Sequence, residues 1–67
     1  MNLNKLRGKM AEKRLTQKQL ATKMGLSLRS INRMLMNKRP FNNNEILKLK
    51  RLLKLTDDEV LEIFINE

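Results

Sequence analysis

Apolar residues recur along most of the chain at the spacing of one helix face. Near the start, Leu3, Leu6 and Met10 are separated by lysine and arginine residues, which predicts a first helix over about residues 2–13. A second run predicts a helix over residues 17–24, because the glycine at position 25 is the residue type that commonly ends a helix.

Helix-capping residues mark where the other helices begin. Three residue pairs have the spacing of a capping box, in which each side chain bonds the other residue's backbone amide. These pairs are Thr16 and Gln19, Asn42 and Glu45, and Thr56 and Glu59. With Ser27 as a further cap and Pro40 as a breaker, the pattern predicts helices over about residues 28–36, 43–54 and 57–65.

Composition agrees with an all-α fold. The chain of 67 residues is long enough for one domain, and its few β-branched residues argue against a sheet. We therefore predict a compact bundle of five short helices forming a single domain over residues 1–67. It contains no Cys and no His, so we expect no disulfide, no metal site and no cofactor.

Charge is distributed unevenly along the chain. Residues 1–39 contain eleven basic residues and one acidic residue, whereas residues 40–67 contain four basic and six acidic residues, within an overall net charge of +8. A concentrated positive charge attracts polyanions, of which nucleic acid is the commonest. The first half of the chain is therefore predicted to contact a nucleic acid.

The segment over residues 17–37, QKQLATKMGLSLRSINRMLMN, has the residue types that a helix-turn-helix needs. Ala21 is small where two helices would cross closely, and Gly25 permits the tight turn between them. Apolar residues at the remaining internal positions would fill the wedge between the helices. They are Leu20, Met24, Leu26, Ile31 and Met34.

This segment resembles the lambdoid phage repressor and Cro-like group of bacterial and phage regulators, and the similarity extends over nearly the whole chain. It includes the Asn-Lys-Arg-Pro segment at residues 37–40 and the closing stretch over residues 56–64. The resemblance implies a regulator of transcription that acts on a pseudo-palindromic operator in double-stranded DNA, with the second helix across the backbone and the third in the major groove. Such a protein would lie in the bacterial cytoplasm, at the nucleoid.

Helical geometry identifies candidate base-reading residues on the third helix. With Ile31 facing the core, Arg29, Asn32 and Arg33 point outward. An arginine fork fits the acceptors of guanine, and asparagine fits adenine. Leu28 occupies a position where the family often has a polar reader, so it either contacts a thymine methyl group or packs against the core.

Other polar residues are candidate contacts to the DNA backbone, because phosphate contacts position a protein on the duplex. They are Gln17, Ser27, Ser30, Asn37, Lys38 and Arg39. The alternative is that these residues only begin helices or lie in a solvated loop. The basic residues of the first helix are expected to add a diffuse positive field.

The fifth helix is apolar around an unusually wide arc. Its apolar residues sweep roughly 200°, about twice the stripe that one core requires. We therefore predict a contact through Leu61, Phe64 and Ile65, either with a second copy of the chain in a dimer or with another regulator. The alternatives are a frayed end or a core that extends farther around this helix.

Two other classes of function compete with DNA recognition. An interaction protein of the same fold would bind and modulate another regulator, and the apolar fifth helix favours it. A membrane-active basic peptide would explain the charge but not the ordered caps, and no apolar run is long enough to cross a membrane. We predict that the protein is not an enzyme, because it has no His base, no Cys nucleophile and no glycine-rich phosphate loop.

Overall fold

The chain forms helices at the positions that its apolar pattern predicts. A computed structural model describes residues 1–65, and this part of the chain contains helices and no strands. In chain order the helices are α1 (Leu3–Glu12), α2 (Gln17–Met24), α3 (Leu28–Leu35), α4 (Asn43–Leu53) and α5 (Asp57–Val60), which continues as a π-helical segment, Leu61–Ile65. The prediction of an all-α fold with five helices is confirmed.

Each predicted capping box is present and fixes the start of a helix. Thr16 and Gln19 begin α2, Asn42 and Glu45 begin α4, and Thr56 and Glu59 begin α5, with both reciprocal hydrogen bonds formed in every case. Ser27 caps α3, and Asn2 caps α1. These side chains satisfy backbone amides that have no partner within the helix. The helix starts are therefore set locally, within four residues.

One apolar core joins all five helices. Its buried members come from α1 to α4, from the loop before α5 and from the π-helical segment; they are Leu6, Met10, Leu20, Ala21, Met24, Ile31, Met34, Leu35, Leu49, Leu53, Leu55, Ile63 and Phe64. The three methionines predicted as core, at positions 10, 24 and 34, are among them. α2 packs against α3, and α1 packs against the π-helical segment.

The last helix differs from the regular α-helix predicted over residues 57–65. After one α-helical turn the backbone widens into the π-helical segment, in which bonds run from residue i to residue i+5. The carbonyl of Ile63 accepts a hydrogen bond from the backbone amide of Asn2, with an N–O distance of 2.7 Å. This bond joins the start of the chain to its last described element.

The π-helical segment also corrects the predicted partner surface. Phe64 is buried, and its ring meets that of Phe41 edge to face with centroids 5.2 Å apart, so we assign it to the core and not to a partner contact. Leu61 and Ile65 remain 45% and 61% exposed. Only part of the wide apolar arc is therefore used within the chain.

Candidate nucleic-acid interface

The turn between α2 and α3 fixes the direction of α3. Gly25 adopts a left-handed conformation with φ 69°, which a residue with a side chain adopts only at a cost. The amide of Leu26 then bonds the carbonyl of Ala21 at 2.9 Å, and Ala21 is buried where α2 meets α3. Two residues after the glycine, Ser27 starts α3. A tight three-residue connection thus holds the two helices together.

α3 has one buried face and one exposed face. Ile31, Met34 and Leu35 face the core. The opposite side is exposed, and we call it the α3 outer face; it consists of Leu28, Arg29, Asn32, Arg33 and Met36, the last in the helix cap. Leu28 is 50% exposed, so the alternative in which it packs within the core is wrong. All four candidate base readers therefore lie on one accessible surface.

Neither arginine of the α3 outer face has a carboxylate partner. Within residues 1–65 the ion pairs involve Lys5, Lys9, Arg39 and Lys50, and none involves Arg29 or Arg33. Because residues 3 and 4 apart lie side by side on a helix, these two guanidinium groups are neighbours along the exposed surface. The face therefore carries two positive charges that no carboxylate among residues 1–65 neutralises.

The acidic residues of α5 neutralise α1. Glu59 pairs with Lys9, and Glu62 pairs with Lys5. The basic residues of α1, which were expected to add a diffuse positive field, are thus partly neutralised within the fold. Basic residues that form no ion pair within residues 1–65 remain on other elements, including α2 and α3.

These pairs shift the acid–base properties of the side chains involved. The hydrogen bond from Lys9, followed by one from the Thr56 backbone, lowers the pKa of Glu59 to about 2. The pKa of Lys9 is raised in turn, chiefly by its hydrogen bond to Glu59. The Lys50 ammonium group lowers the pKa of Asp57 in the same way. All of these groups lie away from the α3 outer face.

The loop after α3 contains three of the candidate backbone contacts. Asn37 is left-handed, with φ 60°, and Lys38 follows it with an exposed side chain. Arg39 instead bonds both carboxylate oxygens of the buried Glu45, at 3.1 and 3.2 Å. Burial acts to raise the pKa of Glu45, but the Arg39 and Asn42 hydrogen bonds outweigh it and keep that pKa below its usual value. Arg39 therefore holds the loop against the start of α4.

The other candidate backbone contacts lie at helix starts. Gln17 is exposed in the first turn of α2. The hydroxyl of Ser27 accepts from the Ser30 amide at 3.1 Å and donates to the Ser30 hydroxyl at 3.0 Å. The Ser27 hydroxyl is thus used in starting α3. The Ser30 hydroxyl accepts one bond and can still donate one bond and accept another from a ligand.

Arg7 supports α3 in a way that the sequence pattern did not indicate. Its guanidinium group donates to the backbone carbonyl of Leu35, which lies in the last turn of α3. Carbonyls in the last turn of a helix have no partner within the helix, and a cation there also opposes the helix dipole. Arg7 thus ties α1 to the end of α3. The two residues are 28 positions apart, so only the folded structure reveals the contact.

The described residues offer no metal centre. Among residues 1–65 no group of three or more acidic, cysteine or histidine side chains is arranged to hold an ion. No helix in this part of the chain is long and apolar enough to cross a membrane.

The fold and this surface define a class: small all-helical proteins with a basic, exposed helix after a tight glycine turn. The chain belongs to the family DUF739, described as a protein of unknown function, whose model matches residues 1–67. No curated protein matches the chain.

Proposed function

We propose that this protein is a sequence-specific DNA-binding regulator of transcription, in which α2 and α3 form a helix-turn-helix. The observation that carries the proposal is the α3 outer face, which exposes Arg29 and Arg33 without a carboxylate partner among residues 1–65. A helix with its side chains is about 10–12 Å wide, and the major groove is about 12 Å wide. α3 therefore has the width and the charge to enter the groove.

Four of the five residues of the α3 outer face have a role in this proposal. Arg29 and Arg33 each present a planar fork that pairs with the O6 and N7 atoms of guanine. The amide of Asn32 pairs with adenine, and the exposed side chain of Leu28 contacts a thymine methyl group. Specificity then comes from both hydrogen bonds and apolar contact.

Phosphate contacts would set the position of the protein on the duplex. Gln17 at the first turn of α2 supplies an amide side chain beside a helix N-terminus, which favours anions. Lys38 and Asn37 supply exposed groups after α3, and Ser27 and Ser30 lie at its start. Arg39 contributes indirectly, because its pair with Glu45 holds the loop in place.

The resemblance of the chain to the lambdoid repressor and Cro-like group supports the same function. Regulators of that kind bind two half-sites about 34–36 Å apart, which requires a two-fold dimer. We propose that Leu61 and Ile65, the exposed apolar residues of the π-helical segment, form this dimer contact. A pseudo-palindromic operator and a location at the bacterial nucleoid, in the cytoplasm, follow from this proposal.

A second candidate function uses the same residues. An interaction protein that modulates another regulator would cover Leu61 and Ile65 with a different chain. The exposure of both residues favours some contact at this position, whereas the arginines of the α3 outer face, which form no ion pair within residues 1–65, favour DNA. We therefore keep modulation of another regulator as the alternative.

The proposal is tested by selection from a pool of random DNA duplexes, followed by sequencing of the retained molecules. We expect the wild-type protein to enrich a two-fold site, and Arg29→Ala/Arg33→Ala to lose this preference while it keeps weak, salt-sensitive binding. Each lost arginine–guanine pair should cost about 1–3 kcal/mol of discrimination. The control Arg51→Ala/Lys54→Asn removes the same charge from the end of α4, with asparagine at position 54 because Lys54 is left-handed, and should keep the site preference.

Two results would contradict DNA recognition by α3. One is the absence of any enriched site with the wild-type protein at low salt. The other is an equal loss of preference in the Arg29→Ala/Arg33→Ala and Arg51→Ala/Lys54→Asn variants, which would reduce the effect to net charge.

A further inference from the structure

A second basic surface lies on α2, on the side opposite to its core-facing residues. Leu20, Ala21 and Met24 are the buried residues of α2. At about 100° per residue, positions 18, 19, 22 and 23 lie around the other side of the helix. These four residues line a shallow, open cavity of about 280 Å³, whose walls are mostly carbon. The first and last of these four residues are lysines, Lys18 and Lys23.

α4 adds positive charge beside the end of α2. The ammonium group of Lys48 lies 3.4 Å from the carbonyl of Met24, in the last turn of α2 and next to Lys23 in the chain. Arg51 lies one turn farther along α4 and is exposed. We call the group formed by Lys18, Lys23, Lys48 and Arg51 the α2–α4 basic surface. Within residues 1–65, none of its members forms an ion pair.

The cavity is held in shape by local hydrogen bonds. Gln19 accepts from the backbone amide of Thr16 through its side-chain oxygen, and the Thr22 hydroxyl donates to the carbonyl of Lys18. The side-chain oxygen of Gln19 and the hydroxyl hydrogen of Thr22 are thus used within the helix and its cap. The exposed surface of the cavity is therefore mostly side-chain carbon. It lies between the ammonium groups of Lys18 and Lys23, which end flexible side chains.

We infer that the α2–α4 basic surface is a docking site for an acidic segment of another protein, one that carries apolar side chains between carboxylates. Carboxylates would pair with the lysines, and an apolar side chain would occupy the cavity. A DNA duplex fits this surface less well. Its backbone is convex, and its phosphates carry no apolar group that could fill the carbon-walled cavity. This inference does not depend on the proposed DNA function.

The test uses a labelled peptide in which leucines lie between glutamates, and binding is followed by fluorescence anisotropy. We expect Lys18→Gln/Lys23→Gln to weaken peptide binding about tenfold, since two exposed ion pairs with the peptide are lost. The variant Arg29→Gln/Arg33→Gln removes the same charge from the α3 outer face and should change the affinity less than about twofold, on the same reasoning. A peptide with glutamine in place of glutamate should not bind.

The variants also separate this inference from the proposed function. We expect the Lys18→Gln/Lys23→Gln variant to keep its preference for the DNA site. The Arg29→Gln/Arg33→Gln variant should lose that preference and still bind the peptide. Amide chemical shifts in the presence of peptide should move in α2 and not in α3.

Three results would overturn the inference. The first is the absence of peptide binding to the wild-type protein at low salt. The second is equal weakening by both double variants, which would indicate attraction to net charge alone. The third is that Lys18→Gln/Lys23→Gln weakens DNA binding and leaves peptide binding unchanged, which would make this surface a contact to the DNA backbone.

Discussion

At the scale of single residues, the two glycines of the chain have opposite roles. Gly25 has φ 69°, and a Cβ atom built there meets nothing within 4 Å, so the constraint comes from the backbone and not from space. Gly8 lies inside α1, where a Cβ atom also meets nothing within 4 Å. A glycine in a helix interior costs conformational entropy without any compensating turn.

This contrast predicts opposite effects of the same substitution. Gly25→Ala should lower the free energy of unfolding by about 1–2 kcal/mol, because alanine is strained in the left-handed region. Gly8→Ala should raise it by about 0.5–1 kcal/mol. Urea unfolding followed by far-UV circular dichroism measures both. A loss of stability in both variants would contradict the assignment of Gly8 to an unconstrained helix interior.

At the scale of elements, the contact between α1 and α5 depends on the ionisation of Glu59. Its pKa is lowered from 4.5 to about 2 by the hydrogen bond from Lys9 and by the Thr56 backbone. A carboxylate whose pKa is lower in the folded state stabilises the fold above its unfolded pKa, and this contribution is lost as the pH falls through the folded pKa. The relevant window therefore lies between pH 4.5 and about pH 2.

We predict that Glu59→Gln weakens the dependence of stability on pH in this window. Glutamine also completes a capping box, so the substitution removes the charge and keeps the helix start. Thermal unfolding measured at several pH values gives the slope for each variant. The control Asp58→Asn changes the neighbouring carboxylate, which forms no ion pair within residues 1–65. If both variants give the same slope, Glu59 does not have the predicted role.

The elements also show what the sequence could and could not predict. The helix starts and the face of α3 were predictable, because capping boxes and helical periodicity depend on residues a few positions apart. The Arg7–Leu35 and Lys5–Glu62 contacts were not predictable, since they join residues 28 and 57 positions apart. The burial of Phe64 against Phe41 was missed for the same reason. The arginines of the α3 outer face were predicted as exposed, and their contacts with DNA stay a prediction.

At the scale of the whole molecule, the fold separates its charges. Acidic residues of α5 face α1, and the α3 outer face and the α2–α4 basic surface keep unpaired basic residues within the described part of the chain. A molecule built in this way presents two positive surfaces on different helices. DNA on one surface would leave the other open to a partner of a different kind.

The exposed apolar residues of the π-helical segment predict self-association of the whole molecule. We expect the wild-type protein to form a dimer in sedimentation equilibrium, and Leu61→Ser/Ile65→Ser to be monomeric because the apolar contact is lost. Leu47 on α4 is 53% exposed, similar to Leu61 at 45%, so Leu47→Ser is a matched control that should leave the dimer intact. A wild-type monomer at high concentration would exclude the dimer contact and favour the alternative of a different partner chain.

The hydrogen bond from Asn2 to Ile63 also affects how the protein is made. α1 is synthesised before its partners for this bond and for the Lys5–Glu62 pair, and the residues of that pair are 57 positions apart. Contacts between distant residues form only after both have emerged, and domains made of such contacts close late. α1 therefore forms these contacts only after the π-helical segment has been synthesised, so both segments complete their packing together and not one after the other.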